Sequence, residues 1–313
     1  MSRKPAITAT GLKKAYDDKT VLDGIDISVD RGTVFALLGP NGAGKTTIVE
    51  ILSTLVPADG GDIRIAGYNP SDDPDAVRSR IGVTGQFSAV DDYLSGEENL
   101  LLMADLHHLG KDERLTRTDE LLKKFDLVES AEKLASTYSG GMRRRLDLAM
   151  TLIGRPEIIF LDEPTTGLDP RSRRTMWQII RELVKGGVTI FLTTQYLEEA
   201  DQLADHIAVL DQGRIVAQGT AAELKRRIPG GHIRLHFFDR DQLDSAATVF
   251  DESSRDDAAY VLQVPSDGGV RSLRSLLDQL DAHSIDVKEL SVHTPDLDDV
   301  FLTLTATERT DAR

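Results

Sequence analysis

The stretch "GPNGAGKTT", Gly39 to Thr47, constrains this chain more than any other feature. It matches G-x-x-x-x-G-K-[ST] with Gly39, Gly44, Lys45 and Thr46 at the fixed positions. An apolar run, "TVFALL" (Thr33 to Leu38), enters it, and "TTIVEIL" leaves it as a helix. Glycines let the backbone curl so that successive N–H groups face one anion, and the following helix adds the partial positive charge of its N-terminus. Gly39, Pro40, Asn41, Gly42, Ala43 and Gly44 therefore supply a backbone cradle for phosphates. Lys45 reaches the β- and γ-phosphates of a nucleotide, Thr46 holds Mg²⁺, and Thr47, with Thr46 at the helix start, belongs to the ATP-binding set. A chance Gly-rich turn would not bring strand, loop and helix together. A strand–loop–helix unit of this kind belongs in an α/β fold.

The rest of the chain agrees with that through about residue 220. "IIFL" (Ile158 to Leu161), "VTIFLTT" (Val188 to Thr194) and "IAVL" (Ile207 to Leu210) are short apolar runs closed by Gly or polar residues, as buried strands of a parallel sheet read. Between Gln86 and Tyr138 the texture is helical, and Ser95-x-x-Glu98 before an apolar run is a capping-box pattern. This part reads as a helical subdomain at about 87–150 inside a domain spanning 5–228. After "IPGG" (Ile228 to Gly231) strand-like and helix-like runs alternate on a smaller scale. Two stripes there, Leu273/Leu276/Leu277/Leu280 and Leu297/Val300/Phe301/Leu304, have helical spacing and read as core packing. Residues 229–313 are expected to form a small α+β accessory domain.

A second acidic element completes the chemistry. "IIFLDEPTTGLDP" puts Asp162 and Glu163 at the end of a strand, where open α/β sheets hold their ligands. Neighbours on a strand point opposite ways, but a turn at its end can bring both to one cleft. Asp162 suits the Mg²⁺ shell, and Glu163 suits polarising an attacking water.

Composition narrows the partners. The 313 residues are 40% hydrophobic and 28% charged, with a formal net charge of −15. Such a surface repels phosphodiester backbones, so no nucleic acid partner is expected. Without a single cysteine there are no disulfides, thiolate metal sites or Cys nucleophiles. No apolar run approaches the ~20 residues that span a bilayer, and the N-terminus lacks the apolar core of a signal peptide. The seven histidines form no metal-spaced pattern. His107 and His108 read as solvated, His206 as structural, "MRRRLD" as helix-surface charge, and "DLDDV" as a solvated acidic helix start.

With "YSGGMRRRLDLAMTLI" between the two elements, the chain resembles the ATP-binding subunit of an ATP-binding cassette (ABC) transporter over roughly residues 5 to 225. The longer stretches "TTQYLEEADQLADHIAVLDQGRIVAQGT" and "TPDLDDVFLTLT" make it similar to the daunorubicin/doxorubicin-resistance type. The resemblance implies that Tyr16 stacks on adenine and that Gln86 touches Mg²⁺ and relays toward a membrane subunit. It implies that Ser139, Gly140, Gly141 and Met142, with Asp169, contact ATP held by a second copy. Tyr138 and Met142 stand where Leu and Gln are commoner. It further implies an ATPase using ATP and Mg²⁺, a head-to-tail dimer with two ATPs at its interface, a separate membrane permease, and a peripheral location on the cytoplasmic face of the membrane. The exported cargo would be a hydrophobic or amphipathic compound.

One position departs from the family pattern. Gln195 stands where most cassettes carry His. An amide can donate and accept hydrogen bonds but cannot titrate, so Gln195 can position a water or the γ-phosphate without shuttling a proton. Phosphoryl transfer depends mainly on positioning and charge stabilisation. Glu163, Gln195 and Lys45 are the candidate catalytic residues of an active ATPase. A soluble cassette ATPase outside transport, and an ATP sensor that hydrolyses poorly, remain the alternatives.

Overall fold

The computed structural model describes residues 4–85, 89–226, 231–267, 269–293, 296–297 and 299–301. In chain order they form β1 (Ile7–Tyr16), β2 (Lys19–Val29), β3 (Val34–Leu38), α1 (Lys45–Leu52), β4 (Gly60–Ile65), α2 (Pro74–Arg78), β5 (Ile81–Thr84), α3 (Gly96–Leu106), α4 (Lys111–Lys124) and α5 (Gly140–Thr151). These are followed by β6 (Ile158–Asp162), α6 (Pro170–Lys185), β7 (Thr189–Thr194), α7 (Leu197–Leu203), β8 (His206–Asp211), β9 (Arg214–Gly219) and α8 (Ala221–Arg226). The last elements are β10 (His232–Phe237), α9 (Arg240–Val249), β11 (Ser254–Asp256), β12 (Val261–Pro265), α10 (Val270–Ala282) and β13 (Val287–His293). The chain divides into two compact units, Met1–Ala221 and Ala222–Arg313.

The first unit is built on a six-stranded sheet in the order β5-β6-β7-β3-β8-β9, parallel except for β9. Every residue of β3, β6 and β7 is buried, which explains why these strands read as unbroken apolar runs. Register places Phe160, Phe191 and Phe35 side by side on one face, with ring centroids 5.6 and 5.2 Å apart. That face shares one core with Ile48 and Leu52 of α1 and with Leu12 and Ile25 of the antiparallel sheet β2-β1-β4. Helix α6 packs on β7 and buries Met176, Trp177, Ile179, Ile180 and Leu183, a one-sided stripe at helical period.

Helices α3, α4 and α5 stand between β5 and β6 in the chain, as expected of a helical insert. The capping box at Ser95 is present: its Oγ accepts from Glu98 N at 3.1 Å, and Glu98 Oε2 accepts from Ser95 N at 2.7 Å. The α/β class with a helical subdomain therefore stands.

The second unit is a small α+β module. Its antiparallel sheet has the order β11-β12-β10-β13, with Arg234 opposite both Gln263 and Ser291. Ile233, Leu235 and Phe237 form the inner face and pack with Leu243 and Leu276. Of the first leucine stripe, Leu276 and Leu280 are buried and Leu273 is partly buried in this core, but Leu277 is 43% exposed and does not join it. A 100° helical step carries it past the edge of the buried arc. In the second stripe Leu297 and Val300 are buried, and Leu304 lies outside the described residues. In "DLDDV", Asp299 N donates to Asp296 Oδ1 at 3.0 Å and Asp296 N to Asp299 Oδ2 at 3.1 Å, a reciprocal cap, with Asp298 outside the described residues. Among the described residues no helix is long and apolar enough to cross a membrane.

Candidate functional site

The loop between β3 and α1 is tied down at its root. Gly39 N donates to Thr194 O, at the end of β7, at 3.2 Å. A Cβ at Gly39 would lie 2.4 Å from Leu210 O, and one at Gly44 would lie 2.7 Å from the Leu22 side chain. Gly44 also has φ +108°, a conformation L side chains rarely adopt. Lys45 is 5% exposed, and its ammonium donates to Gly39 O at 2.8 Å and Pro40 O at 3.1 Å. No acid stands in the first turn of α1, so its free N–H groups and Lys45 leave this end positive. Asn41, Gly42, Gly44, Lys45, Thr46, Thr47, Val21 and Glu163 line a cleft of 390 Å³ here.

One hydroxyl organises the two acids. Asp162 ends β6 opposite Thr193 of β7 and is 3% exposed. Thr193 Oγ1 donates to Asp162 Oδ1 at 2.5 Å and accepts from Glu163 N at 3.0 Å. Glu163 has φ +48°, a left-handed turn that costs a residue with a Cβ about 1–2 kcal/mol. That turn sets Glu163 in the cleft, while Asp162 stays buried against Thr46, which also lines it. Asp162 Oδ2 accepts from Thr46 Oγ1 at 3.1 Å, and Glu163 Oε1 lies 3.4 Å from Lys45 Nζ. Thr46 and Asp162 together offer hard oxygen donors beside the phosphate cradle. No cluster of three or more metal-ligating His, Cys, Asp or Glu exists among the described residues. Mg²⁺ does not need one: it keeps waters and takes phosphate oxygens beside one or two protein ligands, and this donor set fits it. Gln86, the other expected Mg²⁺ contact, lies outside the described residues.

Gln195 follows β7 directly, one residue beyond the carbonyl that anchors Gly39. It is half-buried, and its amide makes no hydrogen bond among the described residues. Thr194 Oγ1 accepts from Tyr196 N at 2.9 Å, which turns the chain into α7. Helix α7 is held by Glu199, fully buried, whose Oε1 accepts from Thr165 Oγ1 at 2.8 Å and Trp177 Nε1 at 3.1 Å. Burial pushes the Glu199 carboxyl above its ordinary range.

Comparison with known proteins agrees with this geometry. The ABC transporter family model matches residues 22–166. The model described as ATP-binding protein DrrA1-3-like, C-terminal domain, matches residues 219–305. Daunorubicin resistance ATP-binding protein DrrA3 of Streptomyces coeruleorubidus is 48% identical over 306 residues, 97% of each chain. Daunorubicin/doxorubicin resistance ATP-binding protein DrrA of Streptomyces peucetius is 44% identical, over 96% of this chain and 92% of its own. The chain belongs to the ABC transporter family. It is an ABC-type ATPase of the daunorubicin/doxorubicin-resistance ATP-binding group. A solved ATP-binding subunit of an ABC transporter, 29% identical, matches with a TM-score of 0.64 over 71% of this chain and 92% of its own.

Ser139, Gly141 and Met142, expected from sequence to contact ATP held by a second copy, do not line the cleft at Lys45. Ser139 caps α5 by accepting from Met142 N at 3.3 Å. A Cβ at Gly141 would lie 2.5 Å from Ser172 Oγ, so only glycine lets α5 approach the start of α6 this closely. Asp169 caps α6, accepting from Arg171 N at 2.9 Å and Ser172 N at 3.1 Å; the Ser172 hydroxyl above all holds its carboxyl below the usual range. Ser139, Gly141 and Met142 line a second cleft, of 220 Å³, with Asp126, Arg145 and Arg171. Gly140 begins α5 between them in sequence. Tyr16 ends β1, 43% exposed, with Lys14 Nζ 5.2 Å from its ring centroid. It does not line the phosphate cleft.

Of the residues set aside from sequence, His206 stacks on Phe35 and is structural, and the His107 ring packs where a Cβ on Gly154 would sit. "MRRRLD" needs correction. Arg143 and Arg145 do pair with exposed acids, Asp92 and Asp126. Arg144 and Asp147 turn inward, with side chains 12% and 3% exposed. The helix has one buried face, and residues 144 and 147 fall on it. Sequence reading also missed Thr193 and Glu199. Their only sequence signal was a polar residue inside or beside a buried run.

Proposed function

We propose that this cassette is the ATP-hydrolysing subunit of an exporter that moves a hydrophobic or amphipathic compound through a separate membrane permease. The observation that carries the proposal is that Lys45, Thr46 and Glu163 line one cleft and that Asp162 accepts from Thr46 beside it. The resistance named in its relatives supports a drug-like cargo. Two copies close head to tail around two ATPs, and the cassette sits peripherally on the cytoplasmic face of the membrane. The adenine stacks on Tyr16, and the phosphates lie on the N–H groups of residues 39–47 with Lys45 on the terminal pair. Those phosphates compete with Glu163 for the ammonium. Thr46, Asp162 and Gln86 would hold Mg²⁺, which would supply neutralisation of the phosphate charge. Glu163 accepts a proton from the attacking water, and Gln195 orients that water or the γ-phosphate. Ser139, Gly140, Gly141, Met142 and Asp169 contact the ATP of the other copy, in keeping with Ser139, Gly141 and Met142 lining a cleft other than that of Lys45. The permease docks beside Gln86 and the start of the helical insert.

The test is Mg·ATP hydrolysis by the chain co-expressed with its permease. Glu163→Gln should stop turnover and trap ATP-bound dimers, while Gln195→His should leave substantial turnover. No hydrolysis above a Lys45→Ala control would overturn the active reading and leave an ATP sensor.

A further inference from the structure

Glu163 sits in a left-handed turn that its own side chain disfavours, so something must hold the backbone on either side of it. Arg144 does. From the second turn of α5 its Nη2 donates to Asp162 O at 3.0 Å and its Nε to Pro164 O at 3.0 Å, the carbonyls flanking Glu163. Its Nη1 donates to Gly85 O at 2.9 Å and to Asp147 Oδ2 at 3.3 Å. Asp147 Oδ1 in turn accepts from Ala89 N at 3.2 Å. One planar cation, with the acid one turn along its helix, thus grips the bend that aims Glu163 and also the chain at Gly85 and Ala89.

We infer that Arg144, anchored by Asp147, is a positioning residue for ATP hydrolysis: a brace that fixes the aim of Glu163 and ties it to the chain at residues 85 and 89. The inference rests on Glu163 being the base. The guanidinium is suited to this because its five donors are fixed in one plane and can serve several carbonyls at once; an ammonium on a flexible stem cannot. A surface arginine or a plain helix-stabilising ion pair would not need three backbone carbonyls from two other segments. A base displaced by about 1 Å can lose on the order of a hundredfold in rate with substrate affinity intact.

The experiment measures initial rates of Mg·ATP hydrolysis by the full-length chain co-purified with its permease, normalised to bound fluorescent ATP analogue, so that misfolded protein does not count. Arg144→Lys keeps the charge and should lower kcat by about ten- to a hundredfold with KM for ATP within about twofold. A fall in kcat smaller than about threefold, or a change confined to KM, overturns the brace. If Arg144→Lys does not bind nucleotide, Asp147→Asn decides: a kcat loss of about threefold or more at unchanged KM supports the brace, and a parental kcat overturns it. Glu163→Gln is run alongside. If it turns over like the parent, the base assignment fails and takes the brace with it. If it is inactive while Arg144→Lys is parental, only the brace fails.

Discussion

At the scale of single residues, the phosphate loop was legible because its requirements are local. The left-handed conformation at Gly44 and the close approach at Gly39 are needs of consecutive residues, and they leave a consecutive pattern. Thr193, Arg144 and Glu199 were not legible because their roles depend on which strand lies beside which, and that is set far away in the chain. Glu199 offers a direct check. It is a carboxylate with no exposure, one of whose oxygens accepts two hydrogen bonds. Burial raises its pKa above the ordinary 4.5, so the folded state disfavours its charge. Its contribution to stability is therefore fullest below the unfolded value and is lost as pH rises through the raised folded value. Glu199→Gln keeps the acceptor and removes the titration. Its stability in urea unfolding, taken as a difference from the parent, should rise as pH is raised from about 4.5 through the folded value; a difference independent of pH above 4.5 would contradict this. Glu199→Ala leaves the Thr165 hydroxyl and the Trp177 indole without an acceptor and opens a cavity, and should cost about 2–4 kcal/mol.

At the scale of elements, buried strands and the cap of α3 were readable, since burial on both faces and a Ser-x-x-Glu box leave plain patterns. Contacts between elements were not. Tyr138, an oddity in the signature as a string of letters, has a structural reason. Its hydroxyl donates to Ser130 O at 2.6 Å, and it lies where a Cβ on Gly96 would sit, 2.1 Å from it. Gly96 is the first residue of α3, so this ring fastens the signature to the start of the helical insert. Gly96→Ala should push the ring away and destabilise the protein by about 1–3 kcal/mol, a typical overpacking loss. In a Tyr138→Leu background the hydroxyl is gone and the same change should cost at least ~1 kcal/mol less, a coupling that denaturant unfolding of the four proteins can measure. Additive losses would mean that the contact is not where the strain lies.

At the scale of the molecule, the linker read from sequence at "IPGG" lies beyond the division between units after Ala221, and neither accounts for the purpose of the second unit. All the groups placed around the phosphates belong to the first unit: Lys45, Thr46, Asp162, Glu163 and Thr193, with Gln195 beside them. The second unit closes its own core from Ile233, Leu235, Phe237, Leu243, Leu262, Leu276 and Leu280, and its strands pair with one another. Removing it takes away a complete core instead of half of one, so the first unit keeps the interactions that shape the cradle. We propose that residues 229–313 serve assembly, either of the two copies or with the permease. Deletion of 229–313 should then leave ATP affinity of the remaining chain within about twofold, ~0.4 kcal/mol, while weakening ATP-dependent dimerisation or permease co-purification tenfold or more. Equilibrium titration with a fluorescent nucleotide and sedimentation of the same samples separate the two effects. Unchanged assembly would reject the proposed role, and lost nucleotide binding would show that the first unit cannot hold its cradle alone.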